Sequence, residues 1–561
     1  MRERSPHNSR WTEERKIRSV FSRYAAFVSA AACLALVSCT SPSNARYSNN
    51  SVNALSIAQQ REPRSLNPAL ENGQSSAEWG QLLFSFLLRY DQHGTLTPDV
   101  ATEVPTIANG GISKDGLTVV YHLRKGIRFA DGAPLTARDC VWSIDAIDNP
   151  ANNVQSRYGY DRIVKAEALD DYTLVLHLKQ PFAPLLTLIL TAQGFPILPE
   201  HLLAKYPDFN HIDFDSKPLG SGPFVVDRWI RGDRVVMRAN PYYWRGKPKI
   251  AQLTIRFVPD TQTAMNLLQT HEVQGYYNAQ DFAQYDQLRQ IPGYRVTAAP
   301  VAGVGAIIFN TQDPMTADPL VRRALAEAID VRSVVEKAYR GAIDSSHAAE
   351  GLFFWSYDPA AFPDVPYDPA QARTMLDRAG WHAGPDGIRR KNGTALRPLL
   401  LIQAATPGDA IIGNTVAQYE RAAGADVTLK QFNITQFVAP ASEGGPVYGG
   451  KFQMALYPFV NGDDPDATDQ FACANVPPNG YNKSRICDPR IDALLRAGQS
   501  TFDIAKRKTI YSQLQRILYE KLPLILIYRR REVDTFTTRL RGQTTSIDGA
   551  FWDAGSWSLA P

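Results

Sequence analysis

The sequence lacks the apolar runs that a protein with several membrane spans would need. Its strongest internal run, residues 185–190, has only six residues, whereas a helix needs about 20 to cross a bilayer. The composition is that of a globular protein, with 44% hydrophobic and 21% charged residues, which excludes a disordered chain. At 561 residues the chain is too long for one small core, so we expect two or more lobes.

A net charge is also lacking once the first segment is set aside. The chain has 60 basic and 56 acidic residues, of which residues 1–38 hold seven and three, so that 53 of each remain. A protein that binds a phosphate backbone carries a basic surface. We therefore expect no nucleic-acid partner.

Short catalytic motifs are absent as well. The sequence contains no G-x-S-x-G nucleophile elbow, no H-E-x-x-H zinc helix and no G-x-x-x-x-G-K-[ST] phosphate loop. Gly303 and Gly305 lack the third glycine of a dinucleotide-binding loop. We predict a protein that is not an enzyme and that holds no cofactor and no metal, although glycosidase carboxylates leave no short signature.

One cluster of carboxylates leaves three interpretations open. Asp463, Asp464, Asp466 and Asp469 lie within seven residues and could form a calcium loop, an acid/base site or a solvated loop with helix caps. The segment lacks the glycine and the terminal glutamate of a twelve-residue calcium loop. This favours the solvated loop.

Cysteine is scarce, with five residues in the chain. Cys473 and Cys487 are close in sequence, and in an oxidising compartment such a pair forms a disulfide that closes a loop. The rival interpretation is a structural metal site, but the spacing is not C-x-x-C and no nearby histidine or second pair completes four ligands. Cys140 is expected on a buried helical face.

The N-terminal segment is typical of an export signal. Basic residues precede an apolar run of 15 residues, 24–38, which suits the core of a signal peptide. The run ends in Leu-Val-Ser-Cys39, which resembles the lipobox of bacterial lipoproteins. That resemblance implies a signal peptide over residues 1–38, a lipid on Cys39 and a tether over residues 39–51. The alternatives are a plain secretory signal or a short membrane anchor with a chance cysteine.

The rest of the chain alternates predicted strands and helices. Alternating or apolar runs predict strands over residues 119–129, 172–178, 253–258, 304–310 and 522–528. Three helices are expected to begin at Asp-Pro pairs, in which an N-capping carboxylate precedes a proline at the first helical position. These pairs begin at Asp318, Asp368 and Asp488. The fold class is therefore mixed α/β.

Several fragments in fixed order resemble family 5 of the bacterial extracellular solute-binding proteins, the dipeptide-, oligopeptide- and nickel-binding group. Each fragment alone is weak, but together they extend from about residue 55 to the C-terminus. The fragments are residues 62–68 (EPRSLNP), 123–132 (LRKGIRFADG), 135–139 (LTARD), 220–224 (GSGPF), 240–244 (NPYYW), 309–310 (FN), 321–330 (VRRALAEAID) and 367–373 (YDPAQAR).

The resemblance implies a two-lobed fold of the periplasmic-binding-protein type II, a hinged trap with an additional inserted domain. Lobe I is expected to combine residues 52–80, 205–297 and 530–561. The inserted domain is expected over residues 81–204 and lobe II over residues 298–529. The two lobes would close on a solute held between them.

The resemblance also implies a strand that contacts the ligand. In peptide-binding members, a strand that leads into D-x-x-D/E-P supplies backbone contacts, and the first aspartate of the motif holds the α-ammonium of the peptide. The matching strand here includes Tyr457 and Phe459, and the motif reads NGDDP over residues 461–465. Asn461 therefore stands at the ammonium position. Its amide accepts a hydrogen bond but cannot neutralise the charge.

Four further residues complete the predicted ligand contacts. Asp463 or Asp464 would replace Asn461 if the loop were shifted by two residues. Glu71 and Asn72 follow the opening motif and match the lobe I segment that contacts ligand in relatives. The segment between the paired cysteines resembles the disulfide-closed loop of dipeptide binders.

These expectations combine into one predicted function. The protein would be a monomeric, membrane-anchored lipoprotein of the periplasm or extracytoplasmic face, and it would capture short peptides for an ABC permease of the inner membrane. Haem, an opine, an oligosaccharide or a metal chelate is the alternative ligand. A secreted hydrolase and an envelope chaperone are the alternative functions.

Overall fold

Two long strands pass through the middle of a mixed ten-stranded sheet in the computed structural model of the chain. The structure describes residues 53–71, 73–154, 156–192, 194–279, 282–404, 407–459 and 464–561. The predicted signal peptide, Cys39 and the tether lie outside these ranges.

Strands and helices follow one another along the whole described chain. The strands are β1 (Ala54–Gln59), β2 (Leu88–Tyr90), β3 (Leu96–Pro98), β4 (Thr118–His122), β5 (Ile163–Asp170), β6 (Thr173–Leu178), β7 (Phe224–Ile230), β8 (Arg234–Ala239), β9 (Gln252–Phe257), β10 (Gly275–Ala279), β11 (Tyr294–Phe309), β12 (His382–Ala383), β13 (Arg389–Lys391), β14 (Thr394–Ala395), β15 (Leu399–Gln403), β16 (Thr428–Phe432), β17 (Met454–Phe459), β18 (Leu524–Thr537), β19 (Leu540–Arg541) and β20 (Ser558–Leu559). The α-helices are α1 (Gly73–Leu83), α2 (Ala137–Asp148), α3 (Leu185–Leu188), α4 (Glu200–Leu203), α5 (Thr261–Gln269), α6 (Tyr285–Arg289), α7 (Pro319–Glu327), α8 (Val331–Tyr339), α9 (Glu350–Phe353), α10 (Pro369–Arg378), α11 (Pro407–Ala423), α12 (Ile434–Phe437), α13 (Thr468–Phe471), α14 (Pro489–Ser500) and α15 (Ile504–Lys521). Within the described part of the chain, no helix has the length and apolar character needed to cross a bilayer.

The large sheet joins two halves through its central pair of strands. Its order is β16-β15-β17-β11-β18-β10-β1-β9-β8-β7. β11 and β18, with 16 and 14 residues, pair antiparallel along most of their length. One end of this pair lies beside β10 and the other beside β17. The two-lobed α/β fold class predicted from the sequence is confirmed.

The central pair changes register part of the way along. The pairing of β11 with β18 shifts between Pro300 and Val304, and again between Gly305 and Ala306. The predicted limits between lobe I and lobe II, at 297/298 and 529/530, fall in the same part of these two strands. The domain limits themselves stay a prediction, and the names lobe I, lobe II and inserted domain refer to the predicted residue ranges.

The lobe II side of the sheet is covered on both faces. Along β11, Ile307 and Phe309 belong to one buried cluster, whereas Val304, Ala306 and Ile308 belong to another. This alternation follows the two-residue period of a strand, and helices pack on each side. A third cluster spans the inserted domain and lobe I, so these two parts share one core.

The helix starts at Asp-Pro pairs are confirmed. Asp318, Asp368 and Asp488 are the N-caps of α7, α10 and α14, and each carboxylate accepts a hydrogen bond from the backbone N–H two residues later. The proline occupies the first helical position in all three. In α2, a capping box between Thr136 and Asp139 has the same effect.

The strand predicted over residues 119–129 is too long. β4 ends at His122, because a turn at Lys125 and Gly126 follows, and Gly126 has a φ of +82°. Tyr121, Ile127 and Phe129 are nevertheless all buried. The alternating apolar residues are therefore buried on both sides of a turn. Periodicity alone cannot distinguish this arrangement from one continuous strand.

The carboxyl group of Glu420 on α11 is expected to make stability depend on pH. Its side chain is fully buried, and neither carboxylate oxygen has a hydrogen-bond partner among the described residues. Burial raises the pKa of Glu420 above its usual value. Because the pKa is higher in the folded than in the unfolded chain, stability is lost as the pH rises from about 4.3 through the folded-state pKa.

Glu420→Gln is expected to remove this loss. The variant should match the native chain near pH 4 and should be more stable by about 1–3 kcal/mol at pH 8. The midpoint of thermal unfolding, measured between pH 4 and pH 8, tests this. The control is Glu443→Gln, at an exposed position of lobe II. Parallel pH profiles for the native chain and Glu420→Gln would contradict the assignment.

Candidate functional site

β11 runs beside the end of β17 close to the predicted limit between the two lobes. Gly303 has a φ of +117°, and a Cβ at this position would lie 2.1 Å from the carbonyl oxygen of Phe459. A Cβ on Gly305 would lie 2.3 Å from the ring of Tyr528. Only glycine allows so close an approach. The Gly-Val-Gly triplet, to which the sequence assigns no function, is thus a packing requirement of the junction.

The end of β17 is paired on one side only. Its pairing with β11 extends to Phe459, which lies opposite Val304. Its pairing with β15 is limited to Met454 and Ala455. Among the described residues, no strand pairs with residues 456–459 on the β15 side, so their backbone forms a short open edge next to the lobe junction.

Tyr457 and Phe459 both lie on this open edge. The ring of Tyr457 stacks on Phe437, with centroids 5.8 Å apart and planes at 17°, and its centroid lies 5.7 Å from that of Phe459. Phe459 is buried and Tyr457 is half-buried. Both side chains pack into lobe II. A further strand could therefore pair only with their backbone, on the open edge.

Three of the predicted ligand residues lie outside the described residues. Asn461 and Asp463 fall in the segment 460–463, and Asn72 is also outside the described ranges. The described residues that flank these positions are Phe459 and Asp464 for the first segment and Glu71 and Gly73 for Asn72.

Asp464 forms a buried ion pair inside lobe II. Arg507 on α15 donates from both terminal nitrogens to its two oxygens, at 2.8 and 2.5 Å. The guanidinium also donates to the carbonyl of Gly498 and to the hydroxyl of Tyr511. Asp464 is 8% exposed, so the interpretation of this cluster as a solvated loop is wrong at this residue. Its carboxylate could reach a ligand only by giving up a buried bidentate pair.

Asp466 connects lobe II with the inserted domain. The hydroxyl of Tyr158 in the inserted domain donates to its Oδ2 at 2.7 Å, and Nε2 of Gln499 donates to the same oxygen at 2.9 Å. Thr468 donates to Oδ1. The backbone N–H of Ala183 donates to the carbonyl of Gln499 at 2.7 Å. Burial raises the pKa of Asp466, and the sequence carries no signal of this bridge.

Aromatic side chains make two more contacts between these parts of the molecule. Phe502, which precedes α15, packs against the core that lobe I and the inserted domain share. Phe282 of lobe I meets Tyr339 of lobe II edge to face, with centroids 5.3 Å apart. The residue ranges predicted as lobe I and lobe II are therefore in contact in the structure.

Glu71 stabilises the backbone of the opening motif of lobe I. Its Oε2 accepts hydrogen bonds from the backbone N–H groups of Arg64 and Ser65, at 2.7 and 3.3 Å. The residue is 8% exposed. These contacts are those of a side chain that shapes a loop, and a role toward a ligand stays a prediction.

The predicted pair Cys473 and Cys487 is joined by a disulfide. Within the closed loop, Nδ2 of the buried Asn482 donates to the carbonyls of Ala472 and Ile486, at 3.0 and 2.7 Å. The next residue, Lys483, is buried against four aromatic rings. No sequence pattern marks Lys483, because three of its four aromatic neighbours, Tyr448, Tyr457 and Phe459, come from other segments.

Known proteins of one family are similar to this chain over most of its length. The family model described as bacterial extracellular solute-binding proteins, family 5 Middle, matches residues 95–481. Protein XP55 of Streptomyces lividans is 28% identical over 551 residues, covering 96% of this chain and 95% of that protein. Glutathione-binding protein GsiB of Salmonella typhimurium is 28% identical over 457 residues, covering 78% and 83%. Di/tripeptide-binding protein 2 of Pseudomonas aeruginosa is 28% identical over 462 residues, covering 77% and 82%.

Solved structures share the fold. NikZ of Campylobacter jejuni in complex with Ni(L-His) has a TM-score of 0.74 at 24% identity, covering 90% of this chain and 99% of that one. The oligopeptide-binding protein AppA of Bacillus subtilis in complex with a nonapeptide has a TM-score of 0.74 at 22% identity, covering 91% and 99%. CtaP of Listeria monocytogenes, an ABC transporter substrate-binding protein, reaches 0.79 at 21% identity, covering 91% and 100%.

Tyr158→Phe is expected to weaken the bridge between the inserted domain and lobe II. The change removes one donor from the buried Asp466, which costs about 1–3 kcal/mol where the carboxylate stays buried. The cost applies only while the two parts are in contact, so the ligand-free variant should populate separated lobes and show a larger radius of gyration in small-angle scattering.

The control for this experiment is Tyr172→Phe, a half-buried tyrosine of the same domain that packs under Lys125. It should leave the scattering unchanged. If Tyr158→Phe and Tyr172→Phe scatter alike, the bridge does not influence the arrangement of the lobes.

Proposed function

The chain belongs to the family 5 bacterial extracellular solute-binding proteins, and from this membership we propose that it captures short peptides between its two lobes for import by an ABC permease. The role of substrate-binding component of an ABC transporter is that of the family. The peptide ligand is the part that we propose for this chain.

The open edge of β17 is the observation that carries the proposal. Residues 456–459 are paired with β11 alone among the described strands, so an extended peptide could pair its backbone with theirs. Backbone pairing recognises what all peptides share, and side-chain pockets add preference. The edge lies at the lobe junction, where closure of two hinged halves would enclose the bound chain.

The relatives support the same ligand class. The names of two of them state binding of glutathione and of di- and tripeptides, and one solved relative holds a nonapeptide. Another holds Ni(L-His), so a metal chelate is the alternative that the comparison itself raises.

Seven residues are proposed to form the ligand site. Tyr457 and Phe459 would contribute mainly backbone, and Asn461 would accept a hydrogen bond from the ligand. Asp463 and Asp464 would lie behind them, with Asp464 holding the loop through Arg507. In lobe I, the proposed contacts are Glu71 and Asn72, next to the opening motif.

The proposal also covers the location and the partners of the chain. Cys39 would carry a lipid that anchors a monomer to the extracytoplasmic face of a membrane, after removal of residues 1–38. The ligand would pass to the permease chemically unchanged, without a catalytic residue or a cofactor.

A binding experiment without turnover tests the function. We expect the purified chain to bind di- to pentapeptides one to one in calorimetry, and mass spectrometry should recover each peptide intact after prolonged incubation. Cleaved products would favour the hydrolase alternative. Preference for long denatured chains would favour a chaperone, and a haem, opine, oligosaccharide or chelate copurified in place of peptides would redirect the ligand class.

Asn461→Asp is expected to strengthen binding of peptides with a free amino terminus. An aspartate would add a charge-assisted bond, which is roughly twice as strong as a neutral one. N-acetylated versions of the same peptides serve as the control and should gain nothing. Equal affinities of the native chain and the variant for free-amine peptides would separate Asn461 from the ligand.

A further inference from the structure

Lys483 holds an ammonium group among aromatic rings at the end of β17. Its Nζ lies 4.4 Å from the ring centroid of Tyr457, 5.1 Å from Tyr481, 5.2 Å from Tyr448 and 5.9 Å from Phe459. The residue is only 4% exposed. Rings at such distances attract a cation through their negative faces.

The polar partners of this ammonium are few. Nζ donates to the carbonyl oxygen of Tyr481 at 3.4 Å, and no carboxylate of the described residues forms an ion pair with it. Asp469 acts on it through its field at a longer distance. Burial lowers the pKa of Lys483 to about 8, so the group is mostly charged at pH 7. A buried cation that lacks a direct ion pair costs stability.

The loop does not need this charge for its own structure. The disulfide between Cys473 and Cys487 closes it, and Asn482 fixes its interior through two backbone carbonyls. An apolar side chain of similar length at position 483 would fill the same space among the rings without the desolvation cost. A costly charge at a junction of lobes is characteristic of a functional site.

The position of Lys483 connects the charge with the ligand strand. Two of its four rings, Tyr457 and Phe459, belong to the open edge of β17, and Phe459 lies opposite Val304 at the junction of the lobes. The carboxylate of Asp464, the first described residue after β17, is paired with Arg507.

We propose that Lys483 determines the sign of the charge that the cleft accepts, so that it favours a ligand with a carboxylate at the end of β17 and disfavours one with an ammonium. The inference rests on the proposed function and narrows its ligand class to anionic or amino-blocked acidic peptides. Lys483 is a specificity-determining residue in this scheme.

Three tripeptide amides of one sequence, tri-alanine, test the inference. They carry a free amino terminus, an acetyl group or a succinyl group, with charges of +1, 0 and −1. In calorimetry, the native chain should bind the succinyl peptide at least about tenfold more tightly than the free-amine peptide, since a unit charge acts strongly at a partly buried site. Lys483→Met should reduce this ratio to about one or reverse it.

Two further variants separate charge from structure. Lys483→Arg keeps the charge and should keep the preference for the succinyl peptide. Lys430→Met is the matched control, because Lys430 lies 5.1 Å from the ring of Phe432 on an exposed strand, and it should behave like the native chain. If Lys483→Met fails to fold, Lys483→Gln replaces it, with thermal unfolding as the check.

The outcomes distinguish this inference from the proposed function. The same peptide preference in the native chain and in Lys483→Met, or a native preference for the free amine, overturns the inference while peptide binding stands. If none of the three peptides binds, the peptide proposal fails, and thermal stabilisation by glutarate, a simple dicarboxylate, decides the inference. Stabilisation of the native chain but not of Lys483→Met supports it, and no difference between them overturns it.

Discussion

The arrangement of this molecule depends on how closely the backbone of β11 approaches its neighbours where the chain crosses between the two halves of the sheet. The predicted limits between the lobes fall within β11 and β18, which pair along most of their length, and at Gly303 and Gly305 the neighbouring backbone and ring leave no room for a Cβ. A β-bulge increases the local twist of the strand that carries it. The pairing shifts beside Pro300 and Gly305, close to the predicted limits of the two lobes, so we expect any rotation between the lobes to occur here.

Next to this crossing, the buried carboxylates of Asp464 and Asp466 stabilise lobe II through their hydrogen bonds. Asp464 and Asp466 are two residues apart and both buried, yet they have separate donors: Arg507 for the first, Tyr158 and Gln499 for the second. Taking a carboxylate out of water costs free energy unless its oxygens are satisfied. The donors of Asp464 all lie within lobe II, whereas Asp466 takes one of its donors, Tyr158, from the inserted domain.

Much of the fold could be predicted, because it follows from local chemistry and from motif order. The Asp-Pro caps, the α/β class and the Cys473–Cys487 pair are decided by residues near one another in sequence. The bridge at Asp466 and the ring cluster around Lys483 are not, because Tyr158 is 308 residues from Asp466 and no pattern marks either partner. The overlong strand at residues 119–129 failed for a related reason, since alternating burial continues through the turn at Gly126.

The contacts of Asp466 and Lys483 together bear on how a ligand could control closure. Separated lobes would let water reach Asp466, so the hydrogen bonds gained from Tyr158 on closure are offset by desolvation of the carboxylate, and the contact is close to neutral by itself. Lys483 adds a buried charge without a direct ion pair among the described residues, and a ligand of opposite sign would relieve its cost. A ligand shifts an equilibrium by its differential affinity for the two states. An anionic ligand at the end of β17 would interact with Lys483 most strongly where the closed lobes exclude water, and this gain would favour closure over opening.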